Sequence, residues 1–285
     1  MMKLSIFETG FFKSDGGAMF GLLPKEIWKK YYFSDNKNLC RMSMRCVLIE
    51  TGKRKIIVDP GLGMKSESVV PGYGFSDLKD ISKELQKINV SNDQITDIVL
   101  THLHFDHSEA ITRHDEGGDL SLCFPNADYY IGKKQWDRCF NCGIIDNDAY
   151  FTENISVLNK NRNLHLVEND FFLEDNIKIE LFDGHTPGQI VVYLNGKSDG
   201  LENIVIPGDV VPTNVNIRTE AISGFDLNGE VSAKEKLRLL EKVYETDSRM
   251  IFYHDYFIES CKVGKNKNRF YAKERIESVN FEVEK

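Results

Sequence analysis

The sequence has no apolar run approaching the roughly 18 residues that a membrane helix needs. Its opening, Met1-Met2-Lys3-Leu4-Ser5-Ile6-Phe7-Glu8, carries an early acid and no stretch of signal-peptide length. The expectation is a soluble, cytoplasmic protein that does not enter a membrane. Positive charge is also in short supply: 36 Lys+Arg against 44 Asp+Glu leave a net charge of −8. That balance works against phosphate backbones, so nucleic acid is not expected as a partner. The basic run from Lys262 to Lys267 reads as a solvated loop. Six cysteines in 285 residues are too few for a disulfide framework. Cys139-Phe140-Asn141-Cys142 has neither a second C-x-x-C nor a thioredoxin-type βαβ setting, and reads as two reduced cysteines beside a helix.

No Pro/Gly/Ser-rich linker and no repeat of about 20–50 residues divides the chain, so residues 1–285 read as one domain. Hydrophobic residues at 41% suffice for a sizeable core, and only Asn280 to Lys285 reads as disordered. Strands are expected at Arg45–Glu50, Lys55–Asp59, Asp97–Leu100, Ala127–Ile131, Leu164–Val167, Ile177–Phe182, Ile190–Leu194, Ile204–Pro207 and Arg249–Tyr253. Leu78, Ile81, Leu85 and Ile88 recur at helical spacing and predict a helix over Asp77–Asn89. Ser232-x-x-Glu235 has the form of a capping box opening a second helix that runs through Tyr244. Strands with helices between them imply an α/β protein layered about one core.

What the chain does have is a concentration of metal-ligating groups. His102-Leu103-His104-Phe105-Asp106-His107 places three of its seven histidines and an acid in six residues, directly behind a buried strand. In an extended segment His102 and His104 project to one side, and a turn after Phe105 can swing Asp106 and His107 round. Imidazole and carboxylate donors suit zinc, and iron or manganese as well. Two neighbouring ions need more donors than this segment holds. Three other strand ends offer them: Gly184-His185-Thr186-Pro187-Gly188, Gly208-Asp209 and Tyr253-His254-Asp255. His114 and His165 fit no such pattern and read as surface or turn residues.

This set resembles the metallo-β-lactamase superfamily, whose hallmark is H-x-H-x-D-H followed by a later His, an Asp and a final His. The resemblance runs from Val58-Asp59-Pro60-Gly61 to His254. It implies a four-layer αββα sandwich holding two divalent ions, zinc first among them. His102, His104 and His185 would hold one ion, Asp106, His107 and His254 the other, and Asp209 would bridge them. Asp59 would orient a ligand histidine. Asp106 and Asp209 would take part in catalysis, with Asp106 passing a proton to the leaving group. The implied reaction is hydrolysis by water activated between the two cations, without a covalent enzyme intermediate.

Gly16-Gly17-Ala18-Met19-Phe20-Gly21-Leu22-Leu23-Pro24 with Trp28 is similar to the lactonase-type branch, and residues 10–35 are the expected substrate-groove segment. Met19, Phe20, Leu22, Leu23 and Trp28 would line a groove for an acyl chain, or else pack a helix on the sheet. A lactone or carboxylic ester is the expected small-molecule substrate, in a chain expected to form a homodimer. The chain differs from that branch at Ser108-Glu109-Ala110, where a glycine pair is common, and after Asp209, where Val210-Val211-Pro212-Thr213 carries no tyrosine. A glyoxalase II type thioesterase, a phosphotriesterase on the same fold, and a binding module that kept the fold but lost its metals are the alternatives.

Overall fold

The computed structural model describes residues 2–65, 72–160, 162–196 and 200–278. The expected disorder at residues 280–285 lies outside these. The strands and helices form an α/β arrangement with two mixed sheets, as the resemblance implies. Its contacts group into two compact units, Met1–Phe12 with Met44–Glu168, and Lys13–Ser43 with Asn169–Lys285.

Strand β1 (Lys3–Asp15) leads into the short helices α1 (Gly16–Phe20) and α2 (Lys25–Trp28), and β2 (Leu39–Glu50) brings the chain back. β1 and β2 thus run through the boundary between the units. In the first unit follow β3 (Lys55–Val58), α3 (Ile81–Lys87), β4 (Asp97–Val99), α4 (Phe105–Ser108), β5 (Thr112–His114) and β6 (Leu120–Leu122). β7 (Asp128–Gly132), α5 (Lys133–Phe140), α6 (Thr152–Ser156) and β8 (Leu164–Val167) complete it. The sheet order is β1-β2-β3-β4-β7-β8. From β3 to β8 neighbouring strands are parallel, while β2 is antiparallel to β3.

Strands buried on both faces read as apolar runs rather than alternations. Every residue of β4 and the Ile56–Val58 portion of β3 are buried accordingly. Helix α3 buries Ile81 and Leu85 on the core that also holds Leu48, Ile57, Ile98 and Tyr129. It is shorter than the expected span because Asp77 and Asn89 both have positive φ, 52° and 60°, which a helix interior does not tolerate. The side chain of Asp80 caps it by accepting from the Ser82 N–H. Cys139 is buried on α5, Cys142 is exposed beyond its end, and both are free thiols. Burial pushes the Cys139 thiol up to about 12, so it has little thiolate character.

The second unit contains β9 (Phe171–Glu174), β10 (Ile177–Phe182), β11 (Gln189–Leu194), β12 (Ile204–Ile206), α7 (Gly229–Glu245), β13 (Arg249–Ile251), β14 (Ile258–Asn266) and β15 (Arg269–Glu277). The sheet order is β15-β14-β13-β12-β11-β10-β9. β11 is antiparallel to both β10 and β12, and β12 is parallel to β13, so β10, β12 and β13 point the same way. Leu239, Leu240 and Val243 of α7 pack on Val191, Val205 and Met250 of this sheet.

Two expectations are corrected here. Residues 262–266 belong to β14 rather than to a solvated loop, with Lys262 paired to Asp247 and Lys265 to Glu241, each at 2.7 Å. Helix α7 starts at Gly229, capped by the Asn228 side chain, so Ser232 and Glu235 lie inside it and form no capping box. Among the described residues no helix is long and apolar enough to cross a membrane.

Candidate metal centre

In the first unit β4 delivers the chain to Leu100 and Thr101, and His102 and Leu103 follow outside any helix or strand to His104, whose backbone is extended, before α4 begins. His104 caps α4, its carbonyl accepting the His107 N–H at 3.0 Å and the Ser108 N–H at 3.2 Å. That turn brings Asp106 and His107 round. His102 Nε2 lies 3.0 Å from His104 Nδ1, and His107 Nε2 lies 3.9 Å from Asp106 Oδ2. Ligand atoms of His102 and His107 are also within 4.8 Å of one another.

Asp59 organises this group. It is buried and has a left-handed backbone, φ 48°, which Asp tolerates better than most residues. Its Oδ1 accepts the Thr101 N–H at 2.7 Å, and its Oδ2 accepts the Thr101 hydroxyl at 2.6 Å and faces His107 Nδ1 at 2.8 Å. Thr101 Oγ1 in turn lies 3.0 Å from His102 Nδ1. Each ring thus has Nδ1 engaged by the protein, and the tautomer this favours leaves Nε2 with a lone pair. The turn after Asp59 is stitched to α4 through Gly61 N–H to His107 O at 3.2 Å and Ala110 N–H to Gly61 O at 2.9 Å. Glu109 is fully buried and held by Lys65 Nζ at 3.1 Å and Asn154 Nδ2 at 2.6 Å.

In the second unit, the strands β10, β12 and β13 are each followed within a few residues by His185, Asp209 and His254 respectively. The two oxygens of Asp209 face different histidines, Oδ2 lying 3.6 Å from His185 Nε2 and Oδ1 lying 3.3 Å from His254 Nε2. His185 Nδ1 faces Asp226 Oδ1 at 2.9 Å, and His254 Nδ1 faces the Ser43 carbonyl at 2.9 Å. Backbone bonds fix both loops. Leu227 N–H donates to His185 O at 2.9 Å, and Ser43 N–H donates to His254 O at 3.0 Å. Glu235 accepts the N–H groups of Asp183, at 3.0 and 2.9 Å, and of Gly184, at 2.8 Å. Burial raises the Glu235 carboxyl above its ordinary value, and these two donors pull it partly back.

Metal-ligating histidines generally donate their second ring N–H to a carboxylate, carbonyl or hydroxyl, which fixes the tautomer and raises ligand basicity. His102, His107, His185 and His254 all satisfy this condition, and Asp106 and Asp209 add anionic oxygen. The donors therefore fit divalent metal on chemistry and on orientation. His102 and His104 add a further sign, since two ring nitrogens 3.0 Å apart need a proton or a cation to share.

Asp226 and the Ser43 carbonyl carry no signal in the sequence, and Glu235 reads there only as half of a capping box. They lie in a loop, in β2 and in α7, each far along the chain from the histidine it serves. Of the five groove candidates, Met19, Phe20, Leu23 and Trp28 are buried side chains, with the Phe20 and Trp28 ring centroids 5.0 Å apart. Leu22 stands out at 86% exposure. His114 is exposed on β5, and His165 on β8 faces Asp128 at 3.0 Å.

Comparisons with known proteins point the same way. Residues 45–110 match the family model of the metallo-beta-lactamase superfamily. An N-acyl homoserine lactonase of Bacillus cereus is 25% identical over 240 residues, covering 79% of this chain and 87% of that protein. One from Bacillus thuringiensis is 23% identical over 239 residues, covering 79% and 86%. A probable metal-dependent hydrolase of Staphylococcus aureus is similar in structure with a TM-score of 0.86, at 25% identity and 98% coverage of both chains. The dizinc quorum-quenching lactonase AidC aligns with a TM-score of 0.78 at 20% identity, over 99% of this chain and 96% of that one.

Proposed function

We propose that this chain, which belongs to the metallo-β-lactamase superfamily, is a metal-dependent hydrolase of lactones or carboxylic esters that works with two divalent ions. The observation that carries the reading is Asp209, whose two oxygens face the Nε2 atoms of two different histidines. A carboxylate so divided suits a ligand shared by a pair of cations. In this reading His102, His104 and His185 hold one ion, and Asp106, His107 and His254 the other. Divalent ions held there would supply Lewis acidity, lowering the pKa of water into the neutral range and stabilising charge on a carbonyl oxygen.

The chain's own residues supply orientation and surroundings. Asp59, Asp226 and the Ser43 carbonyl hold ring orientation before any ligand arrives, so little reorganisation accompanies binding. Asp106, in the first turn of α4, is the carboxylate assigned to carry a proton to the leaving alkoxide. Beside it Phe105 meets Tyr73 edge-on at 5.5 Å and stacks on Phe151 at 5.6 Å, and Tyr73 stacks on Phe75 at 5.9 Å. Burial, with the charges of Asp106 and Asp148, raises the Tyr73 phenol, which stays neutral. Aromatic walls next to Asp106 favour a substrate with an apolar acyl or aryl group over a small charged one. The distant lactonase relatives support the same substrate class.

Metal analysis of protein purified without chelator, followed by turnover on lactones, aryl esters, thioesters and phosphotriesters, tests the proposal. About two ions per chain and chelator-sensitive opening of lactones or esters are expected. Metal-free protein identifies a binding module instead. Inactivity on every lactone and ester, with thioester or phosphotriester turnover, moves the chain to a different substrate class.

A further inference from the structure

Two cationic side chains, Arg45 and Lys236, are buried among the described residues. Arg45 is answered by Glu8 at 2.7 Å. Lys236, 2% exposed on α7, donates instead to a carbonyl, Ala221 O, at 2.7 Å. A buried ammonium costs several kcal/mol unless opposite charge compensates it. Here burial pushes the ammonium down to about 8, and the charges that pull it back are those of Asp226 and Glu220. Asp226 is the carboxylate that takes the ring of His185, with its side chain only 7% exposed.

The loop 217–228 that carries Asp226 is also fastened by the segment around α1. Ala18 O accepts the Gly224 N–H at 2.7 Å and the Ser223 hydroxyl at 3.3 Å. Asn216 Nδ2 reaches both Met19 O and Ala221 O at 3.2 Å. Gly21 has φ 52°, and a Cβ there would sit 1.6 Å from Ile222 O. The loop is thus held both by α1 backbone and by the buried Lys236.

We propose that Lys236 is a positioning residue for the metal centre: through Ala221 O it fixes the 217–228 loop, and with it Asp226, the carboxylate that orients His185. This rests on the reading of His185 as a metal ligand. Helix α7 therefore contributes a tether for that loop, beyond packing on the sheet.

Co(II) binding to chelator-stripped protein, read by its visible absorption, gives the test. Removing a group that supports a metal ligand typically costs 10–100-fold in metal affinity. D226N is expected to bind Co(II) about 10–100-fold more weakly than wild type, and K236M about tenfold more weakly, with an altered absorption band. Because Lys236 acts through Asp226, K236M in the D226N background should weaken binding no further. Wild-type affinity in K236M overturns the proposal, and so does an equal loss in both backgrounds, which marks a merely structural role. K236Q, whose amide is one bond shorter and stops short of Ala221 O, gives the same comparison should K236M fail to fold, as judged by melting of the metal-free protein. A wild-type chain that takes up no Co(II) overturns the metal reading itself, a result distinct from any of these.

Discussion

Glu235 offers a sharp test of how the His185 loop is held. Its carboxylate accepts two backbone N–H groups, those of Asp183 and Gly184, at 2.8 to 3.0 Å. Hydrogen bonds to a charged group contribute about 1.5–3 kcal/mol each, and a donor left without a partner costs about 1–3 kcal/mol where water cannot reach it. Glu235 is half-buried, so water replaces part of what is lost, and E235A is expected to destabilise the metal-free protein by about 2–3 kcal/mol. The charge itself is another matter. Burial raises this carboxyl above its ordinary 4.5 despite both donors. Desolvation therefore outweighs what the bonds return to the ionised form. E235Q keeps an acceptor and sheds that penalty, and should cost under about 1 kcal/mol near pH 7. Below pH 4.5 the carboxyl is protonated in both folded and unfolded chains and the penalty is absent. It grows as pH rises through the folded value, so wild type should lose stability relative to E235Q across that window. Urea denaturation of the three proteins at several pH values measures this. Equal stabilities of E235A and wild type, or an E235Q as weak as E235A, would refute the assigned role.

Two further predictions follow from backbone geometry and ring anchoring. D59A strips His107 and Thr101 of a buried acceptor and should weaken metal binding about 10–100-fold in competition with a chromogenic chelator; D59N, which suits the left-handed φ of 48°, isolates the charge, and metal affinity unchanged in both variants refutes the anchoring. G21A forces a Cβ against Ile222 O in a positive-φ backbone and should cost about 2 kcal/mol or more in a urea titration, whereas an unchanged midpoint would mean that α1 does not clamp the loop.

The proposed ligands are legible because His102–His107 is a short cluster and each of the others closely follows a strand. Chemistry and local geometry coincide in His102–His107, while β10 announces itself by alternation and β12 and β13 by short apolar stretches ahead of His185, Asp209 and His254. What orients those ligands was mostly not legible. Asp59 came only with the resemblance, Asp226 sits in a loop without a motif, and the partner of His254 is a backbone carbonyl, to which residue identity is indifferent. The β14–β15 hairpin escaped pattern reading for a related reason. Its lysines look like a solvated run, yet Lys262 and Lys265 lie along a strand whose acidic partners are on α7 and the turn that follows it. Likewise Met19, Phe20, Leu23 and Trp28 have the composition of either a groove or a core, and composition cannot distinguish a wall facing a ligand from one facing protein.

The misplaced capping box shows how the site has shaped α7. Ser-x-x-Glu usually means a helix start, because the two side chains satisfy each other's backbone donors. Here both residues have been drawn to the His185 loop instead. Glu235 takes the Asp183 and Gly184 N–H groups, while the backbone of Ser232 approaches so closely that a Cβ on Gly184 would lie 2.5 Å from its Cα. The first glycine of Gly-His-Thr-Pro-Gly is thus required by helix contact, and Gly188, at φ 77° with its N–H on Asp183 Oδ1 at 2.9 Å, by the turn back into β11. Consecutive residues of one helix then serve one histidine by two routes, Glu235 through the backbone before it and Lys236 through the loop whose carboxylate takes its ring. A helix bound only to cover a sheet would place neither an acid nor a buried ammonium on that face, since each costs desolvation and apolar side chains would cover the sheet at no such cost.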